Sequence, residues 1–247
     1  MKKRGGDAVR TETNSINEEF PQLAPLVGQA FEYLLSNSNA EPSARARRIL
    51  RTLIRFGHTD TDLMVAAVLS AKAGDADFNP VEIQSRFGAK VAKTLSALKD
   101  ASQERFSRVL PLLSISNPEA AVIKVAAQIV DVEAAVAAVA VGQKEPWLKY
   151  REQFKSTLEI RLPGTDDMWN ELASLCQSRV PTQAFQLGDV YIDYSFESVK
   201  VRFDSKSGKT FSKFYGKSEY ELPRGSNFFR DAREAGELIS RDDYTKP

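Results

Sequence analysis

Between Ala120 and Val141 alanine and valine dominate, and most positions are apolar. A surface helix carries an apolar stripe on one side. A helix apolar nearly all round has no side to offer water and must be surrounded. The chain is therefore expected to wrap other helices around this one. Apolar residues recur at helical spacing from Phe20 to about Arg179, which predicts helices over 22–36, 43–56, 60–72, 80–98, 101–113, 117–141, 145–160 and 166–178. Two of the starts are signposted: Asn79-Pro80 and Asn117-Pro118 each set a capping side chain before a first-turn proline. An eight-helix domain over 19–179 follows, after a polar tail at 1–18 that lacks periodicity and reads as mobile.

After Val180-Pro181 the texture changes. Val190–Tyr194, Val199–Phe203 and Thr210–Tyr215 are β-branched and aromatic with partial alternation, so they read as strands. Asp204–Gly208 supplies turn chemistry between the last two. Ser226 can cap a helix near 227–239, and the closing Arg241–Pro247 reads as a frayed tail. The fold class is thus mainly α, with a helical bundle followed by a small α+β module over 180–247. A two- or three-stranded sheet is marginal alone, so this module is expected to pack on the helices or on a partner.

Charge excludes little but argues against a global field: 34 basic residues face 33 acidic ones, so nothing draws the whole chain to nucleic acid or membrane. No apolar run approaches the roughly 20 residues that span a bilayer, and polar sequence follows the opening MKKRGG where a signal peptide needs an apolar core. A cytoplasmic location is the expectation. The one cysteine, Cys176, excludes an internal disulfide framework and reads as helix packing rather than as a nucleophile.

Several segments of the helical region carry a resemblance. In Asp60–Asp75 an apolar frame, Val65-Ala66-Ala67-Val68-Leu69, precedes Ser70-Ala71 and Gly74-Asp75. Ile83–Val91 contains Phe87-Gly88, and Val122–Val132 reads VIKVAAQIVDV, which includes Lys124, Ala127 and Asp131. Together these segments resemble the HD-type hydrolase domain of RelA/SpoT proteins, which remove pyrophosphate from guanosine alarmones. The resemblance implies a metal held by two histidines and two aspartates. Here Ser70-Ala71 stand at the His-Asp pair, Gly74-Asp75 at the following acidic pair and Ala127 at a ligand aspartate. Asp131 stands at an asparagine, and the first histidine falls near Pro42. Serine and alanine cannot replace imidazole and carboxylate around a divalent ion. The implied domain is degenerate, with no metal, no cofactor and no catalytic residue assigned.

The chain's one histidine, His58, lies beside Asp60 and Asp62; with Asp75 these could form a rebuilt metal site, although Thr59 or Asp60 is more simply a helix cap. Arg47, Arg48, Arg51 and Arg55 fall within about 100° of helical arc and, with Lys124, form a candidate anion or nucleotide site. A solvated helix face is the bland alternative. Ser207-Gly208-Lys209-Thr210 has the ending of a phosphate loop but not its leading glycine or following helix, so it reads as a hairpin turn. In the module Lys200, Arg202, Lys206, Lys209, Lys213 and Lys217 alternate with aromatics, a pattern that can track single strands, but nearby acids nearly cancel the charge.

The sequence-based expectation is a non-catalytic regulatory or binding protein, a pseudoenzyme acting through protein contacts, with an anionic nucleotide as candidate ligand. The alternatives are a phosphohydrolase with a rebuilt metal site and a nucleic-acid-associated regulator acting through the C-terminal module. A protein partner is expected; nucleic acid is not favoured and membrane is not expected.

Overall fold

A computed structural model describes residues 25–36, 40–75, 78–140, 143–155, 165–177, 179–182 and 184–247. The tail read over 1–18 lies outside them. The described chain is mainly helical, with one five-stranded antiparallel sheet near its C-terminus. It divides into two units, residues 1–130 with 162–165, and residues 131–161 with 166–247.

In the first unit, α1 (Pro25–Ser36) and α2 (Ala40–Arg55) both pack on α3 (Thr61–Leu69). Every side chain from Leu63 to Leu69 is buried, which makes α3 the unit's core element. Its start is fixed by Asp60, whose carboxylate accepts from Leu63 N at 2.9 Å. The expected helix over 80–98 is two helices, α4 (Pro80–Phe87) and α5 (Ala89–Asp100). Gly88 separates them with φ +93°, a conformation that an L side chain rarely adopts and that ends an α-helix. Asn79 caps α4 through Val81 N and Glu82 N at 3.0 and 3.3 Å, with Pro80 in the first turn. The segment expected as a helix over 101–113 forms α6 at Phe106–Ser116.

The long apolar helix is α7 (Pro118–Val139), started by Asn117, which accepts from Ala120 N at 2.9 Å. None of its residues from 120 onward is exposed, as the all-round apolar pattern requires. Residues 118–130 belong to the first unit and the remainder to the second.

In the second unit α8 (Glu145–Lys155) packs on α9 (Asp166–Gln177). Trp147, only 1% exposed, donates its indole N–H to the Leu175 carbonyl at 3.3 Å, and the Phe154 and Trp169 rings lie 5.1 Å apart. Cys176 is buried on α9, which pushes its thiol up to about 12. The last turns of α7 meet the module: Val136 and Val139 line a water-sized gap of about 10 Å³ with Ala184, Val190 and Leu238.

The module holds α10 (Ala184–Leu187), β1 (Val190–Tyr194), β2 (Val199–Asp204), β3 (Lys209–Phe214), β4 (Tyr220–Glu221), α11 (Asn227–Ala235), β5 (Glu237–Ile239) and α12 (Arg241–Thr245). The sheet order is β4-β3-β2-β1-β5. Two expectations are corrected here. The helix near 227–239 stops at Ala235 because Gly236, lacking a Cβ, lets the chain turn against β1; a Cβ there would sit 2.5 Å from both the Ala232 carbonyl oxygen and Ile192 Cγ2. The final residues form a capped helix in place of a frayed tail. The Ser240 hydroxyl accepts from Asp243 N at 3.0 Å, and Tyr244 is buried against the Tyr191 ring.

Candidate functional site

Strand pairing gives the module's sheet two unlike faces. On one, the register places Tyr194, Val199 and Phe214 side by side across three strands, with Ile192, Val201, Ser212 and Tyr220 in the next row. Part of this face is covered. Phe203 meets Phe185 of α10 edge-on at 5.2 Å and Phe229 of α11 in a stacked pair at 6.4 Å. The rest of its aromatic side chains reach solvent. Phe214 is 49% exposed and Tyr220 45%, while Phe196, in the short turn after β1, is 85% exposed. Tyr194 bridges them to α11, its ring 6.3 Å from Phe196 and 5.8 Å from Phe228. Exposed aromatics gathered on one rigid sheet face are the composition of a protein-contact surface, since large flat rings bury much area at little entropic cost.

The opposite face is polar, and its charges are spent internally. Lys200 is 7% exposed; its ammonium donates to the carbonyls of Asp243 and Lys246 at 2.8 and 2.7 Å. Burial, reinforced by the neighbouring Lys213 charge, pulls the Lys200 pKa down. Lys213 stands 4.8 Å over the Tyr244 ring, and Arg202 stacks on Phe211 at 4.1 Å while forking onto Glu219 at 3.0 and 2.6 Å. Lys209 pairs with Glu221 at 2.8 Å, and the Tyr215 hydroxyl donates to Asp193. Burial and that carboxylate push the Tyr215 phenol up to about 12. Basic and aromatic residues do interleave here, but these five residues hold the module together. Ser207-Gly208-Lys209-Thr210 lies at the β2–β3 hairpin, where the Asp204 carboxylate accepts from Lys206 N and Ser207 N, both at 3.0 Å, and Gly208 has φ +66°.

The helical candidates occupy separate places. On α2, Arg48, Arg51 and Arg55 are exposed and Arg47 is half-buried; Arg55 lies 4.9 Å over its neighbour Phe56. Lys124 on α7 reaches the Ala101 carbonyl at 3.4 Å. The Ser70 hydroxyl donates back to the Ala67 carbonyl at 2.7 Å, and half-buried Ala71 follows it. Gly74 is exposed, and Asp75 pairs with Lys72 at 2.9 Å. Ala127 is half-buried on α7, and Asp131 belongs to the other unit. His58 is half-buried in the loop before α3, and burial lowers its pKa. Among the described residues no three His, Cys, Asp or Glu side chains come together as a metal site, so His58, Asp60, Asp62 and Asp75 do not converge. Asp60 is engaged as the α3 cap and with Lys90 at 3.3 Å.

Comparison with known proteins directs attention to the module. A protein-family model described as Tis1 immunity protein matches residues 180–247. The curated immune protein Tis1 of Pseudomonas aeruginosa (strain UCBPP-PA14) is 39% identical over 64 residues, which is 25% of this chain and 83% of that relative. One chain in the crystal structure of the complex between the Type VI effector Tas1 and its immunity protein is 37% identical, covering 26% of this chain and 86% of that one, with a TM-score of 0.25. These findings correct the resemblance to RelA/SpoT-type HD hydrolases: the kinship they show is with immunity proteins, through the C-terminal module. The physical reason is plain. Val65–Leu69 and Val122–Val132 are runs that any buried helix needs for packing, so an apolar frame without its metal ligands carries no family signature.

Proposed function

Because the chain belongs to the Tis1 immunity protein family through residues 180–247, we propose that it binds a toxic effector protein and neutralises it. The single observation behind this reading is the 39% identity that spans 83% of the curated immune protein. An immunity protein works by contact, so the activity asked of the module is protein binding. The exposed aromatic surface of Tyr194, Phe196, Phe214 and Tyr220 suits that task. The polar face suits it less, because its ammonium and guanidinium groups already hold α12 and the strand ends in place.

The partner class we infer is a Type VI effector, the kind of protein found with the immunity protein in the related crystal structure. Co-expression tests this: toxic Type VI effectors are produced one at a time with the intact chain, and growth and co-elution are measured. Relief of toxicity by one effector, with a stable complex on size exclusion, is the expected result. Failure of the chain to relieve or retain any of a broad effector panel overturns the reading.

A further inference from the structure

Beside the Phe185 and Phe229 rings, three arginines line one cleft. Arg179, Val180, Thr182, Arg230, Arg233 and Glu234 enclose about 300 Å³. Three guanidinium groups against one carboxylate leave the lining with a net charge of +2 (3 − 1). Like charges gathered in a concave site repel one another unless an anion joins them.

Each arginine is held by only part of its donor set. Arg233 lies 4.9 Å over the Phe185 ring and 6.0 Å from that of Phe229, and its Nη2 points to the Thr182 hydroxyl at 3.5 Å. Its Nε–H is buried with no hydrogen-bond partner among the described residues. A guanidinium stacked on aromatic rings is fixed in plane and loses little freedom when it forks onto an oxyanion. Arg179 donates Nη1 to the Ala235 carbonyl at 2.9 Å, which ties it to the end of α11, and Arg230 is steadied by Asp231 at 3.6 Å. A guanidinium has five donors, so each retains several for a ligand.

We propose that this cleft is a carboxylate receptor, which takes an aspartate or glutamate side chain of the bound protein partner between Arg230 and Arg233, with Arg179 as a flanking cation. The proposal rests on the protein-binding reading and adds to it a specific chemistry: the partner presents an acidic side chain to this edge. The cleft lies beside α11, whose Phe228 also touches the exposed aromatic surface, so one partner can reach both.

The test needs no effector. The intact chain, with arginine Nε–H signals observed by NMR, is titrated at low salt with the capped dipeptide acetyl-Glu-Glu-amide and, separately, with inorganic phosphate. The expected result is a saturable perturbation of the Arg179, Arg230 and Arg233 signals by the peptide, with a dissociation constant on the order of 1 mM. It should be lost in Arg230→Gln, an exposed position whose change leaves the packing intact, and weakened about tenfold in Arg233→Lys, which keeps the charge and removes the fork. No saturation by the peptide, or saturation unchanged in both variants, overturns the proposal. So does phosphate binding with the peptide inert. Effector relief in co-expression is read separately, so the peptide result stands or falls on its own.

Discussion

The Lys200 ammonium donates to the Asp243 carbonyl oxygen at 2.8 Å, across 43 residues of sequence. One cation planted on β2 therefore fastens the C-terminal helix onto the sheet, with a second bond to the Lys246 carbonyl at 2.7 Å. Replacing it with methionine keeps the stem's volume and removes both donors, leaving the Asp243 carbonyl without this donor. Lys200→Met is expected to cost about 1–3 kcal/mol in urea unfolding. Amide exchange should rise first in residues 241–245. Unchanged exchange there would show that Tyr244 packing and the contacts of Asp243 hold the helix without Lys200.

Acid should release the same helix. Lys246, Ser240 and Lys144 donate to the Asp243 carboxylate at 2.7, 2.9 and 3.2 Å and hold it well below its ordinary 3.8. The folded pKa lies under the unfolded one, so the stabilisation is complete above 3.8 and drains away as pH falls below it. Stability measured between pH 6 and pH 2 should decline in that window, and Asp243→Asn should flatten this part of the curve. A variant that keeps the full acid dependence would assign it to other carboxylates.

Gly236→Ala tests the turn from α11 into β5. The added methyl meets Ala232 O and Ile192 Cγ2 at 2.5 Å and Asp193 O at 3.0 Å, two of them backbone atoms that cannot swing aside. Overpacking of this kind costs about 1–3 kcal/mol, and the β1–β5 amides should lose protection with it. Wild-type stability in this variant would mean that β5 can shift without penalty.

Phe196→Ser and Phe214→Ser separate binding from folding. Both rings are largely outside the core, so each change is expected to move stability by no more than about 0.5 kcal/mol. If the aromatic face is the contact surface, the double variant should lose effector retention by roughly a hundredfold or more, as loss of anchor residues does. Retention within a factor of about two would place the contact elsewhere, since an anchor is worth far more than that.

Much of this architecture could be read from residue patterns. Asn79-Pro80 and Asn117-Pro118 mark helix starts because a capping oxygen before a proline is a local device, complete within three residues. The buried helix α7 was equally legible from its apolar sides. What escaped was set by tertiary contact. Phe87-Gly88 fits a helical period, and only the positive φ of Gly88 splits the helix there. Glu237-Leu238-Ile239 continues the spacing of α11 and becomes a strand because β1 offers an open edge. The candidate surfaces were harder still. Phe203 and Phe214 are alike in sequence, yet Phe203 lies under α10 and α11 while Phe214 faces water. The arginine cleft joins Arg230 and Arg233, which helical spacing puts on one side of α11, with Arg179, and no spacing rule brings Arg179 to that pair.

The last turns of α7, lining a water-sized gap with β1 and β5, bear on how such a protein can be inherited. The kinship with immunity proteins begins at residue 180, but Val190 and Leu238 are buried here against Val136 and Val139. A genetic exchange that copied only 180–247 into another gene would carry the exposed aromatic face and leave Val136 and Val139 behind. The compact unit that holds the module in this chain starts at residue 131, ahead of residue 180, where the similarity to immunity proteins begins.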